Sequence, residues 1–177
     1  MSILRFILGG SRSGKSAYGE KIAQQLAGDD AVIYIATCRS TEIDAQMQQR
    51  IQTHQQSRPA HWITVENQFD LIGLAEKYAN QIILIDCLTL WLSHCSETDQ
   101  DAQTTLNRLK KGLEAFKKKH AQLIIVSNEL GSSLVPTSAA SRDYRDLVGS
   151  ANQLVASYAD EVELIVAGLP LSLKTQS

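Results

Sequence analysis

Gly9-Gly10-Ser11-Arg12-Ser13-Gly14-Lys15-Ser16 is the stretch on which the reading of this chain turns. Its spacing, G-x-x-x-x-G-K-[ST], is that of a loop that cradles phosphate. The flanks agree. Ile3-Leu4-Arg5-Phe6-Ile7-Leu8 reads as a buried strand, and Tyr18, Ile22 and Leu26 recur at i, i+4, i+8 on one helical face. Glycines let such a loop fold tightly enough to turn its backbone N–H groups inward. The loop then enters a helix whose first N–H groups lack partners and whose dipole favours anions. In that setting the Lys15 ammonium reaches the outer phosphates of a nucleoside triphosphate, and the Ser16 hydroxyl is a ligand for Mg²⁺. An ordinary Gly-Ser turn is the alternative, and it explains neither flank.

The chain has 177 residues, which suits a single nucleotide-binding domain over 1–177 with a substantial core. Its net charge of −2 gives no basic surface for nucleic acid or a membrane. Cys38, Cys87 and Cys95 are scattered, and no pair has C-x-x-C or zinc-site spacing. That usage fits a reducing cytoplasm. The first strand begins at the start of the sequence, so no signal peptide is expected. No apolar run approaches the roughly 18 residues of a membrane-spanning helix.

Along the rest of the chain, apolar runs alternate with helical stripes. Gly28-Asp29-Asp30 stops the first helix. Ala31-Val32-Ile33-Tyr34-Ile35-Ala36 is a second buried strand that ends at Thr37-Cys38-Arg39. Ser40-Thr41 caps a helix expected from about Glu42 to Gln56, with Ile43, Met47 and Ile51 as its stripe and His54 continuing it. Ser57-Arg58-Pro59 ends that helix, because the residue before proline avoids helical angles. Trp62 to Glu66 is a short strand, Asp70 to Tyr78 a short helix, and Ile82-Ile83-Leu84-Ile85-Asp86 an apolar strand closed by an acid.

Leu88 to Leu92 reads as helical and leads into a polar segment, Ser93 to Gln103, expected to be a mobile loop. Leu106, Leu109, Leu113 and Phe116 mark an amphipathic helix that ends in Lys117-Lys118-Lys119, where cations are favoured. Leu123 to Val126 is a buried strand, and Ser132 to Ala140 a loop holding Pro136. Tyr144, Leu147, Val148, Ala151, Leu154, Val155 and Tyr158 give a long amphipathic helix. Val162 to Ala167 is the last main strand, and Gly168-Leu169-Pro170 turns into a tail strand, Leu171 to Leu173.

This alternation is the signature of βαβ units. Apolar runs without strict alternation suit strands covered on both faces. The expected fold class is therefore α/β, a mostly parallel central sheet flanked by helices. Ligands in such folds sit beyond the carboxyl ends of the strands. The glycine loop, Thr37, Asp86, and Asn128 with Glu129 all fall there.

Asp86 stands where an acid would hold Mg²⁺ directly or through water, and its alternative is a cap for the helix near Leu88. His54 is open to two readings: a half-buried, hydrogen-bonded histidine, or a nucleophile, since neutral imidazole is abundant at pH 7 and attacks phosphorus well. His94 in the polar segment and His120 after the lysines are expected to be exposed. Arg58 could stabilise transferring charge, and Glu66 could receive a base or ribose hydroxyl. Arg142 and Arg145 either bind an anionic substrate or pair with Asp143 and Asp146 on the helix surface.

Taken together, these strings resemble those of the bifunctional adenosylcobinamide kinase/adenosylcobinamide-phosphate guanylyltransferase family. Residues 9–16 resemble its G-G-x-R-S-G-K-S loop, and Tyr34-Ile35-Ala36-Thr37 its second strand. Arg50-Ile51-Gln52-Thr53-His54, then Arg58-Pro59, Trp62, Thr64 and Glu66, resemble R-I-x-x-H-x-x-x-R-P…W-x-T-x-E. Asp86-Cys87-Leu88-Thr89-Leu90-Trp91-Leu92 resembles its acid-plus-helix motif, and Ser127-Asn128-Glu129-Leu130-Gly131 with Val135-Pro136 resembles S-N-E-V-G…V-P. Arg142, Arg145, Asp146, Gly149, Asn152 and Gln153 resemble its late-helix pattern. Cys38 departs from it, standing where a small polar residue such as serine is common, and so does Ser132-Ser133, where a glycine-containing stretch is usual.

The resemblance implies a RecA-like phosphate-loop domain, a homotrimer, and two reactions at one nucleotide site. ATP or GTP phosphorylates the hydroxyl of adenosylcobinamide. A histidine then takes GMP from GTP, releasing pyrophosphate, and passes it to adenosylcobinamide phosphate, giving adenosylcobinamide-GDP in cobalamin biosynthesis. The family histidine matches His54, with Lys15 the other catalytic residue. The nucleotide-contacting positions match Gly9, Gly10, Ser11, Arg12, Ser13, Gly14, Lys15, Ser16, Ala36, Thr37, Cys38, Gln55, Gln56, Ser57, Arg58, Glu66 and Asp86. Ser16 and Asp86 match the Mg²⁺ positions. Two other readings remain at this stage: a phosphate-loop small-molecule kinase with no covalent step, and a nucleotide-regulated binding module.

Overall fold

The computed structural model describes residues 2–38 and 58–175. The helix expected over Glu42 to Gln56, and with it His54, Gln55, Gln56 and Ser57, lies outside the described residues. In chain order the elements are β1 (Ile3–Gly9), α1 (Lys15–Ala27), β2 (Val32–Ala36), β3 (Ile63–Glu66), α2 (Leu71–Lys77), β4 (Ile82–Asp86), α3 (Leu88–Thr98), α4 (Ala102–Lys118), β5 (Gln122–Asn128), α5 (Ala139–Tyr158), β6 (Glu161–Val166) and β7 (Leu169–Lys174).

The strands form one sheet in the order β3-β2-β4-β5-β1-β6-β7. Neighbours run parallel except β6 and β7, which form an antiparallel hairpin. The apolar runs of β1, β2, β4 and β5 are buried because both faces of the sheet are covered. On one face Phe6, Ile33, Ile83 and Ile125 meet Trp91, Leu109, Phe116 and Val148. On the other, Ile7, Tyr34, Leu84 and Val126 join Ala23, Ala27 and Trp62.

Register decides which residues share the ligand-binding edge. Gly9 stands opposite Asn128 and Ile165, and Ala36 stands between Asp86 and Glu66. The carboxyl ends of six strands therefore bring the glycine loop and two carboxylates to one rim.

The buried line of α1 differs from the expected stripe. Tyr18, Ile22 and Leu26 are partly buried, whereas Gly19, Ala23 and Ala27 are buried. The helix lies too close to the sheet for large side chains there. A Cβ on Gly19 would stand 2.9 Å from Val126 Cγ2 and 3.4 Å from Leu84 Cδ1. Small residues at i, i+4, i+8 allow this approach and set the helix N-terminus against the strand ends.

The segment Ser93 to Gln103 is not a loop. Helix α3 continues to Thr98, and Asp101 starts α4 by accepting a 2.7 Å hydrogen bond from Thr104 N–H. The helix continues because Cys95, one turn beyond Trp91, completes a buried face. Its polar residues form the outer face, where the hydroxyls of Ser96 and Thr98 donate to carbonyls three residues back. His94 is correspondingly half-buried, its ring stacked on Phe69 with centroids 3.7 Å apart. His120 is exposed, as expected. No helix among the described residues is long and apolar enough to cross a membrane.

Candidate functional site

The glycine loop joins β1 to α1, and close contacts fix its shape. A Cβ on Gly9 would lie 2.3 Å from Ser13 Oγ and 2.9 Å from Ile165 O, so the loop curls tightly over the strand end. Gly14, at the helix N-cap, has φ +95°, which a side chain would strain. Ser13 N–H donates to Gly10 O at 3.3 Å, and Gly168 N–H, in the β6–β7 turn, donates to Ser13 O at 2.8 Å. The Lys15 ammonium folds back to donate to Gly10 O at 3.0 Å.

Two observations fit this cradle to phosphate. Ser13 Oγ is buried and has no hydrogen-bond partner among the described residues. No side chain caps the start of α1, whose first N–H groups face the loop. A buried orphan hydroxyl and an uncapped helix start are both satisfied by an anion. Ser16 lies in the first turn of α1, half-buried, while Ser11 and Arg12 are exposed on the outer side of the loop.

Asp86 closes β4 in register with Ala36. Its Oδ2 accepts a 2.9 Å hydrogen bond from the Tyr34 hydroxyl, and its Oδ1 has no protein partner among the described residues. Asp86 does not cap α3, because Cys87 holds the N-cap position and makes no side-chain cap bond. The cap alternative is thereby removed, and a carboxylate whose Oδ1 has no partner among the described residues remains at the rim. Burial, then the Asp86 charge, raises the Tyr34 hydroxyl far above its ordinary pKa, so it stays a donor.

Thr37 locks the ends of β2 and β4 together. Its hydroxyl donates to Cys87 O at 2.7 Å and accepts from Cys87 N–H at 2.8 Å. Its side chain is 1% exposed, so it fixes the rim's geometry from beneath. Burial pushes the Cys87 thiol up to about 11, and Cys87 is therefore no thiolate nucleophile at neutral pH. Cys38 is half-buried beside Thr37, and Glu66 is exposed at the end of β3.

Arg58 resumes the described chain and is anchored on three elements. Its guanidinium carbon lies 3.3 Å from the Tyr34 ring centroid. Its Nε donates to Glu20 Oε1 on α1 at 3.3 Å, and its Nη1 to Thr64 Oγ1 on β3 at 3.5 Å. The two ionic side chains are 7% and 13% exposed, which strengthens their attraction over that of a surface pair. Four residues on, Trp62 Nε1 donates to Gln24 on α1 at 3.1 Å. Residues 58–62 are thus held against the phosphate-loop helix, and Arg58, Tyr34 and Asp86 form one stack from α1 to the rim.

Sequence reasoning missed a second network. Asn128 N–H donates to Thr89 Oγ1 at 2.9 Å, Ser127 Oγ to Asn152 Oδ1 at 2.8 Å, and Asn152 Nδ2 to Asn128 O at 3.0 Å. The Tyr144 hydroxyl donates to Thr89 O. These groups fasten the end of β5 to α3 and α5, where Glu129 N–H reaches Gly9 O at 3.1 Å. Thr89, Ser127 and Asn152 were present in the motif strings, but their mutual contacts span 25 to 38 residues of sequence. Arg142 binds loop carbonyls, its Nη1 donating to Pro136 O at 3.1 Å and Thr137 O at 2.7 Å. Arg145 makes a loose 3.9 Å pair with exposed Asp146.

The structure brings residues 9–16, Ala36, Thr37, Cys38, Glu66 and Asp86 to one edge, with Arg58 stacked behind it on Tyr34. Comparisons with known proteins follow from this geometry. A profile described as cobinamide kinase / cobinamide phosphate guanyltransferase matches residues 5–173. Bifunctional adenosylcobalamin biosynthesis protein CobP of Pseudomonas aeruginosa is 40% identical over 170 residues, 95% of each chain. Its counterpart CobU of Escherichia coli is 34% identical over 183 residues, 95% of this chain and 98% of that one. Among solved structures, a KaiC-like protein from Pyrococcus horikoshii superposes with a TM-score of 0.52 at 11% identity, covering 92% of this chain and 70% of that one. At that identity the likeness speaks for the fold alone, and the fold is that of RecA-like phosphate-loop ATPases.

Proposed function

The chain belongs to the cobinamide kinase / cobinamide phosphate guanyltransferase family, a bifunctional enzyme family of adenosylcobalamin biosynthesis, and from that premise we propose a two-step use of one phosphate cradle. ATP or GTP first phosphorylates the aminopropanol hydroxyl of adenosylcobinamide. GTP then gives GMP to His54 with loss of pyrophosphate, and the GMP passes to adenosylcobinamide phosphate to form adenosylcobinamide-GDP. The observation that carries this reading is the cradle, with its orphan Ser13 hydroxyl, uncapped helix start and nearby Asp86. Both reactions need a bound triphosphate, and the described residues offer this one cradle for it.

In the transferase step, the His54 imidazole lone pair attacks the α-phosphorus of GTP and the bond to the bridging pyrophosphate oxygen breaks. The covalent link divides one difficult transfer into two easier ones. The Lys15 ammonium and the loop N–H groups neutralise charge on the departing pyrophosphate, where electrostatic stabilisation contributes most. Arg58 supports the role of His54. It is anchored beside α1, and four residues of chain reach at most about 14 Å. Gln55, Gln56 and Ser57 complete the proposed nucleotide contacts from the same segment.

Ser16 and Asp86 suit Mg²⁺, which takes one or two protein oxygens and completes its shell with phosphates and water. Among the described residues no group of three or more His, Cys, Asp or Glu side chains could hold a metal ion. When bound, the ion supplies Lewis-acid neutralisation of phosphate charge. Tyr34 would hold the Asp86 carboxylate in place for such an ion. Tyr34→Phe is therefore expected to raise the Mg²⁺ concentration for half-maximal GTP turnover by roughly tenfold or more, the scale seen when a ligand loses its supporting hydrogen bond. Magnesium titration of variant and parent at fixed GTP checks this.

We also propose a cytoplasmic homotrimer. Val166, Leu169, Leu171 and Leu173 are exposed on the β6–β7 hairpin, an apolar edge suited to burial against another copy. The test of the whole reading is incubation with α-labelled GTP and Mg²⁺. Label should remain on the chain in an acid-labile, base-stable form, with pyrophosphate released. It should leave when adenosylcobinamide phosphate is added. A chain that turns over GTP with no retained label would contradict the covalent step.

A further inference from the structure

The loop that follows β5 is tied down at both ends and bare at its tip. At its root, Glu129 accepts from Gly131 N–H at 2.7 Å and Ser132 N–H at 3.2 Å through its two carboxylate oxygens. Ser133 N–H and Oγ both donate to Leu130 O, and Leu130 packs against the core. At the far end Arg142 holds the carbonyls of Pro136 and Thr137, and Ser138 caps α5. Pro136 keeps the residue before it extended. Between these anchors Leu134 is 94% exposed and Val135 67% exposed. Two adjacent large apolar side chains, held in water by so many backbone ties, mark a binding surface rather than a loop waiting to collapse.

The position of the loop selects its occupant. Residue 129, at its root, donates its N–H to Gly9 O of the phosphate loop, and β5 is the direct sheet neighbour of β1. The root of the loop therefore lies beside the phosphate loop, and Leu134 and Val135 are tethered within five to six residues of it, a reach of at most about 20 Å. Two side chains fall far short of the roughly 20–30 residues a side of a stable protein interface. A second copy of the chain is better matched by the β6–β7 edge. The acceptor in the reaction is a large corrin macrocycle with apolar, methyl-bearing faces, and it must present a hydroxyl to the cradle.

We propose that loop 131–137 is the platform for the corrinoid acceptor, with Leu134 and Val135 against an apolar face of its macrocycle beside the nucleotide. The inference rests on the cobinamide reading above. It assigns a surface to the acceptor, whereas the phosphate loop and the His54 segment account for the nucleotide.

The test uses the full chain with a non-hydrolysable GTP analogue, and dicyanocobinamide as the probe in equilibrium dialysis. The paired substitution Leu134→Ser and Val135→Ser should weaken dicyanocobinamide binding roughly tenfold or more. Affinity for a fluorescent GTP analogue should stay within about twofold, and the mass in sedimentation should not change. Leu134→Asp is the second variant and should give the same pattern. Ile72→Ser, at an exposed apolar residue on α2, is the control and should leave dicyanocobinamide affinity unaltered. Unchanged affinity in both loop variants overturns the platform alone, as does a changed oligomeric mass with cobinamide affinity retained. Failure of the parent chain to bind dicyanocobinamide at all overturns both the platform and the cobinamide reading beneath it.

Discussion

His54→Ala is expected to abolish retention of α-label from GTP while leaving phosphorylation of adenosylcobinamide within about tenfold of the parent rate. The two halves of the chemistry respond differently because only one needs a nucleophile from the protein. In the kinase half the attacking oxygen belongs to the acceptor, and the chain supplies positioning and charge. In the transferase half the proposed attacking nitrogen is that of His54, and alanine offers no lone pair. The expected loss in guanylyl transfer is at least about 10⁴-fold, on the scale of removing a covalent nucleophile. Two assays on one preparation read this, γ-label transfer to adenosylcobinamide and α-label retention on the chain. A kinase without a covalent step would show parent-like nucleotide turnover in the variant. A nucleotide-regulated binding module would show no small-molecule turnover in either chain. Net charge of −2 already disfavours a nucleic-acid partner for such a module.

How far this arrangement could be read from the chain depends on the distance over which each signal acts. The phosphate loop is a local object. Its glycines, lysine and serine are consecutive, and β1 and α1 sit on either side, so spacing alone identified it. The parallel sheet was legible for a similar reason, since βαβ units write apolar runs without alternation. The helical extent of residues 93–98 was not legible, because Ser93, Ser96 and Thr98 are polar and only Cys95 turns inward. A polar outer face looks like a loop when its single buried residue is a cysteine. The buried line of α1 was hidden too. Gly19 and the alanines carry little apolar weight, and they are inside only because β4 and β5 approach so closely.

The rim network shows the same limit from another side. Tyr34 reads as one more apolar residue of β2, yet its hydroxyl holds Asp86 across 52 residues and its ring carries Arg58. Thr37 was placed at the ligand edge by its position after a strand, and a nucleotide contact for it was implied by the family resemblance. Its hydroxyl is committed to the Cys87 backbone, a partner that only the pairing of β2 with β4 brings near. Residues that bind through backbone shape announce themselves in sequence, while residues that orient others do so only after the sheet is assembled.

Lys15→Ala should remove both reactions together, lowering kcat/KM for each by roughly 10²–10³-fold, the usual scale for loss of one charge-stabilising donor. In the proposed scheme both steps develop negative charge on phosphate oxygens in the same cradle, so one ammonium serves both. In the structure that ammonium donates to Gly10 O at 3.0 Å. Lys15→Arg should not restore activity, since a planar fork is not a compact ammonium and the loop is already crowded around Gly9 and Ser13. Steady-state kinetics of both half-reactions, with a melting curve for each variant, measure all of this. The comparison with His54→Ala then decides the architecture. If one cradle serves both transfers, Lys15→Ala must depress the kinase and the guanylyl step in parallel while His54→Ala separates them. Loss of one activity alone in Lys15→Ala would require a second triphosphate site.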